Sequence, residues 1–228
     1  EQILTQKINN SKNISFDNLN LENISFRYSN KKELIINDLS LKIIKGKIYG
    51  FVGESGSGKT TLLDIIMQLL EPNNGKITIN NNLNFKDYKD WWQKSIGYVP
   101  QNIFLNDDTI KNNIALGENE IEIDDFRLKD SIKKAKLEDF TSNLENGLNT
   151  FIGENGARLS GGQIQRIGIA RALYINPELL FLDEMTSSLD LETENQIMND
   201  ISSLKGEKTI LIITHRKSTT KFCDEIFQ

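Results

Sequence analysis

Apolar and polar positions along this chain follow two rhythms that take turns. "LENISFRY" alternates, with Ile24, Phe26 and Tyr28 on one face, and "LSLKI" and "KIYGFVG" extend the period of two up to a glycine-rich turn, which predicts strands. From Thr60 the run "TLLDIIMQLL" predicts a helix, "EPNNG" stops it, and "KITIN" returns to strand. "FKDYKDWWQK" reads as a short helix before the strand "SIGYVP". Neighbouring helix positions point about 100° apart, so one of Trp91 and Trp92 is expected inside and the other near the surface. Between residues 104 and 177 the strand signals fade into a mainly helical insert, with "DSIKKAKLEDFTSNL" predicted as one amphipathic helix. Strands come back in "ELLFLDE" and "KTILIITH", separated by the helical "LETENQIMNDISSL". Their nearly continuous Ile/Leu runs suit parallel strands covered on both faces, so the expected fold is α/β with a mainly parallel sheet. Residues 1–20, rich in Asn, Lys and Ser, read as a linker, and the folded domain as 21–228.

Composition narrows the classes. The 228 residues, 38% hydrophobic and 26% charged, suit a globular domain. Against 27 basic residues stand 32 acidic ones, and no dense Lys/Arg block exists to track a row of phosphates, so nucleic acid is not an expected partner. The lone Cys223 allows no disulfide within the chain and is expected to be a small buried hydrophobe, in keeping with the cytosol. No apolar run reaches the ~20 residues of a membrane span.

The chemistry is concentrated in short motifs. "GESGSGKT", Gly53 to Thr60, lies between a strand and a helix, where a phosphate cradle needs it. Gly53, Gly56 and Gly58 let the backbone N–H groups of Glu54, Ser55 and Ser57 converge on a β-phosphate. Lys59 is expected to bridge the β- and γ-phosphates, Thr60 to ligate Mg²⁺, and Thr61 to face the α-phosphate. In "LLFLDE", Asp183 is the candidate Mg²⁺ holder and Glu184, at the strand tip, the candidate general base. The only histidine, His215, ends the next strand and is expected at the γ-phosphate. Gln101 can coordinate Mg²⁺ or orient water.

These residues, together with "LSGGQ", resemble the ATP-binding cassette (ABC) ATPase domain over nearly the whole chain. "GESGSGKTT" looks like its Walker A, "LLFLDE" its Walker B, Gln101 its Q-loop, "SSLD" its D-loop and His215 its switch histidine. The resemblance implies a P-loop NTPase core, an N-terminal antiparallel β subdomain and a helical insert carrying the signature. It also implies Tyr28 stacking on adenine, cross-strand packing being the alternative. Two copies would pair head to tail, with Ser160, Gly161, Gly162 and Gln163 of each closing on the other's ATP and Asp190 near the seam.

"GENGARLSGGQ" resembles the acidic loop of exporter-type cassettes, which implies a transmembrane domain joined through residues 1–20 and a place on the cytoplasmic face of the membrane. An importer's separate ATPase subunit and a non-transport ABC ATPase are the alternatives. The Asn-, Lys- and Ile-rich wording is similar to bacterial flippases for lipid-linked oligosaccharides or polysaccharides. Met185 and Ser188 depart from the family's usual small residue and alanine without touching phosphate chemistry.

Overall fold

A computed structural model describes residues 14–54 and 56–228. The chain divides into two compact units, one formed by residues up to 45 together with 54–94, the other by 46–53 together with 95–228.

The first unit is built on an antiparallel sheet in the order β2 (Ile36–Ile44), β1 (Asn18–Phe26), β4 (Asn74–Ile79), β5 (Leu83–Asn84). The apolar phase of β1 slips midway, from Leu19 and Leu21 to Ile24 and Phe26. Asn23, at φ 52°, absorbs the extra residue in a bulge, and the pairing jumps from Leu21↔Leu41 to Ile24↔Leu39. All four side chains are therefore buried. Helix α1 (Lys59–Ile66) stops four residues short of the run predicted from the sequence. Gln68 turns left-handed at φ 58°, and the N–H groups of Leu69 and Leu70 both fold back onto the Asp64 carbonyl. Helix α2 (Lys89–Lys94) buries Trp92 completely, with its indole N–H donating to the Ile66 carbonyl at 2.6 Å, while Trp91 is only half-buried.

The folded domain begins before residue 21. Phe16 is fully buried, its ring 5.6 Å from that of Trp92, and β1 starts at Asn18. Phe16 alternates only with Ile14, too short a run among Asn, Ser and Asp to announce a strand; its burial comes from the tertiary partner. Residues 1–13 of the expected linker lie outside the described residues.

The second unit holds a five-stranded parallel sheet in the order β6 (Ile96–Val99), β7 (Leu179–Asp183), β8 (Thr209–Thr214), β3 (Ile48–Val52), β9 (Glu225–Phe227). The β8 side chains are buried along the strand's whole length, as its continuous apolar run requires. Register aligns Val99 with Leu182, Asp183 with Ile213, and Val52 with Thr214, so the carboxyl ends of four strands share one edge. Cys223 lies under β3, where a Cβ on Gly50 would stand 2.8 Å from its sulfur, and burial pushes the thiol pKa up to about 11.

Residues 104–177 carry α3 (Ile110–Ile114), α4 (Asp125–Lys134), α5 (Glu138–Ser142) and α6 (Gly161–Tyr174), with only an isolated bridge between Thr109 and Phe151. The single helix predicted over "DSIKKAKLEDFTSNL" is two. Lys136 takes φ 54° and the N–H of Leu137 closes onto the Ile132 carbonyl at 3.0 Å, a helix stop that lets Ala135 and Leu137 both sink into the core. Arg171 moors α6 by donating to the carbonyls of Asn113 at 2.8 Å and Phe104 at 2.9 Å. Helices α7 (Leu191–Ser202) and α8 (Lys217–Thr220) complete the unit. Among the described residues no helix is long and apolar enough to cross a membrane.

Candidate functional site

The loop after β3 has the backbone of an anion cradle. Gly56 and Gly58 sit at φ 84° and 92°, and Gly58 is the N-cap of α1 with no side chain capping the helix. A Cβ on Gly58 would meet Ile35 at 3.0 Å, so position 58 needs glycine for both its conformation and its space. The Lys59 ammonium donates to the Glu54 carbonyl at 2.7 Å and the Ser57 hydroxyl at 3.3 Å, which holds a cation across the loop. A helix start with no side-chain cap, positive-φ glycines and a held ammonium suit a phosphate. Thr60 is exposed, whereas Thr61 is buried with its hydroxyl 3.3 Å from the Tyr28 phenol. The Tyr28 ring stands edge-on to Phe26 at 5.1 Å beside a surface pocket that Arg27, Lys31 and Lys32 help to line. Ser55 lies outside the described residues.

At the carboxyl edge of the parallel sheet, β7 ends with Asp183, and Glu184 then adopts φ 44°, rare for a residue with a side chain. The twist separates the two acids. Asp183 accepts a hydrogen bond from the Tyr98 hydroxyl at 3.0 Å. Glu184 instead lies 3.4 Å from the Gln101 amide nitrogen and 3.5 Å from Nδ1 of His215, with 24% of its side chain exposed. Gln101 also approaches the Ser187 hydroxyl at 3.5 Å. The edge thus gathers Gln101, Asp183, Glu184 and His215 from three neighbouring strands. Among the described residues no group of three or more His, Cys, Asp or Glu is arranged to hold a metal by itself. The Asp183 carboxylate and the Gln101 amide offer the oxygen donors suited to Mg²⁺ that keeps waters and phosphate oxygens as its other ligands.

The signature segment opens α6 with a capping box. The Ser160 hydroxyl accepts from the Gln163 N–H at 3.3 Å, and the Gln163 side-chain oxygen accepts from the Ser160 N–H at 2.8 Å. Gly161 and Gly162 face the chain's own α7 region, where added Cβ atoms would meet Leu189 at 3.2 Å and Thr193 at 3.0 Å. Asp190 caps α7, its carboxylate accepting from the N–H groups of Glu192 and Thr193 and from the Thr193 hydroxyl. The Thr193 N–H is the largest cause of its lowered pKa.

Three residues near this edge have no place in the sequence motifs, Tyr98, Glu194 and Arg216, while Ser187 enters only as the first residue of "SSLD". Burial raises the Glu194 pKa, but the hydrogen bonds from Arg216 and Thr219 outweigh it and leave the value lowered. A signal for Glu194 exists, since positions 194, 197, 198 and 201 form one helical stripe and all are buried.

Comparison with known proteins gives the family. The family model described as ABC transporter matches residues 36–187. The putative export ATP-binding/permease protein of Rickettsia prowazekii (strain Madrid E) is 42% identical over 221 residues, covering 96% of this chain and 37% of its own. The leukotoxin translocation ATP-binding protein LktB of Mannheimia glucosida is 43% identical over 206 residues, 90% of this chain and 29% of its own. The solved structure of a bacterial Atm1-family ABC exporter with ATP bound superposes with a TM-score of 0.80 at 32% identity, covering 93% of this chain and 37% of that one. The chain therefore spans between 29% and 37% of these proteins' own length, and it belongs to the ABC transporter family.

Proposed function

We propose that this chain is the ATP-hydrolysing motor domain of a membrane exporter, working at the cytoplasmic face as a head-to-tail dimer with a transmembrane domain. The observation that carries the reading is the convergence of Glu184, Gln101 and His215 at the sheet edge, because a carboxylate held between an amide and an imidazole suits control of one water molecule. In this reading residues 53–61 bind the ATP phosphates, with Lys59 as the counter-charge, and Tyr28 presents its ring to adenine. Glu184 orients the attacking water and accepts its proton, His215 contacts the γ-phosphate, and Gln101 holds water or metal. Thr60, Asp183 and Gln101 would hold Mg²⁺, which supplies charge neutralisation on the β- and γ-phosphates. Ser160, Gly161, Gly162 and Gln163 close on the ATP of a second copy, with Asp190 beside that contact.

Export rather than import is supported by the printed names of the relatives, which speak of export and translocation. Glu154 and Asn155, both exposed just before the signature, suit a contact with the membrane domain. The flippase reading rests on sequence wording alone, and no residue of this site addresses cargo.

The test is Glu184→Gln, followed by ATPase assay and molar mass by light scattering with and without Mg-ATP. The reading expects turnover to fall at least ~100-fold and the mass to double only with ATP. Unchanged turnover would remove Glu184 from its role, and a mass that stays single with ATP bound would count against dimerisation by this chain alone.

A further inference from the structure

The residue after His215 is anchored far more firmly than His215 itself. The Arg216 guanidinium donates to the Glu194 carboxylate at 2.7 Å, to the Ser187 carbonyl at 2.7 Å and to the Leu189 carbonyl at 3.2 Å. Its backbone N–H donates to the Thr214 hydroxyl at 3.0 Å. Glu194, with 2% of its side chain exposed, also accepts from the hydroxyls of Thr219 at 2.9 Å, Ser218 at 3.2 Å and Thr186 at 3.4 Å. One carboxylate and one guanidinium thus join the turn after β7, the start of α7, the end of β8 and α8. By contrast the His215 side chain is 53% exposed, and its one polar contact among the described residues is Glu184 at 3.5 Å.

We propose that Arg216 and Glu194 are positioning residues: a clamp of one half-buried guanidinium on one buried carboxylate that locks the His215 loop and the Ser187–Asp190 segment into one body and so fixes where the imidazole stands relative to Glu184. The idea rests on the ATPase reading above for its effect on turnover. Its physical basis is the shape of the guanidinium, a rigid planar fork whose fixed donor directions reach three acceptors at once, where a lysine ammonium offers a point charge on a flexible stem. Buried ion pairs contribute little net stability over apolar side chains of similar size, so stability alone does not account for the pair. What the fork supplies is geometry. Any shift of the Ser187–Asp190 segment, including one caused by a second copy touching Asp190, must then move Arg216 and with it the adjoining His215. Ser187 extends the linkage, since its hydroxyl meets Gln101.

Two variants separate positioning from bulk stability. Arg216→Lys keeps the charge and loses the fork, and the double variant R216M/E194M replaces the pair with apolar chains. The clamp expects Arg216→Lys to lower kcat about tenfold with KM for ATP within about twofold, and the double variant to regain its melting temperature without regaining kcat. Because His215 is the chain's only histidine, its imidazole gives one assignable NMR signal, which should shift or broaden in both variants. An unchanged His215 signal in Arg216→Lys, or a double variant that recovers stability and turnover together, would overturn the clamp. If the wild-type chain shows no ATPase activity, the functional reading fails while the imidazole signal still decides the clamp.

Discussion

Two helices of this chain begin at glycine-rich segments suited to anions, and they begin differently. Helix α1 starts at Gly58, in a left-handed conformation with no side chain capping it. Helix α6 starts at Ser160 with a complete capping box. A helix start that lacks a side-chain cap gains stability from a ligand that accepts its N–H groups, so phosphate binding and local order are linked at α1. At α6 the box already satisfies two donors, so the segment keeps its shape before any partner arrives. The first cradle is arranged to be completed by its ligand, the second to be presented to one.

The sharpest way to break this contrast is Gly58→Ala. Left-handed strain and the crowding against Ile35 should cost about 2 kcal/mol of the bound conformation, roughly a 30-fold loss of ATP affinity by calorimetric titration. Gly161→Ala makes the matched change at α6, where only the movable end of Leu189 lies in the way, and the affinity of the single chain for ATP should stay within about twofold. Equal losses at the two sites would end the distinction. Next in size is Ser160→Ala, which removes half the box and should cost about 1 kcal/mol in urea unfolding with ATP affinity of the single chain intact.

The smallest expected effect concerns a third helix start, at Asp190, whose cap carries a charge. Its pKa lies below the ordinary value of 3.8 in the folded chain, so its contribution is fully present above that pH and fades as pH falls through the folded value. Asp190→Asn keeps a capping side chain that does not titrate. The wild type should therefore lose its melting-temperature advantage over Asp190→Asn only below about pH 4. An advantage that persists to pH 2 would mean that Asp190 caps through geometry alone.

Much of this arrangement was legible before any coordinates. Strands β7 and β8 declared themselves by unbroken apolar runs, and the phosphate loop by glycines between a strand and a helix. The bulge at Asn23 is also written in the sequence, as the change of phase between Leu21 and Ile24. The stop at Lys136 carried no such mark, because lysine gives no local reason to turn left-handed, and only the burial of Ala135 and Leu137 explains it. Phe16 had only Ile14 as periodic company, too short a run to mark an element. The Arg216–Glu194 pair failed for another reason. The apolar stripe of α7 marks position 194 as inward-facing, but an arginine after a strand reads as surface, and only folding across 22 residues gives the buried glutamate its partner. The reach from Tyr98 to Asp183, 85 residues, was equally closed to local patterns.

The sulfur beneath Gly50 has a practical consequence. With its pKa near 11, Cys223 is a thiolate in only about one part in ten thousand at neutral pH, and it is half-buried as well. Maleimide dyes and spin labels react with thiolates, so the native chain is close to silent toward them. A cysteine introduced at the exposed Ser188 should take a label selectively without removal of Cys223. The distance between two such labels could then report, in real time, when two copies of this chain meet and part.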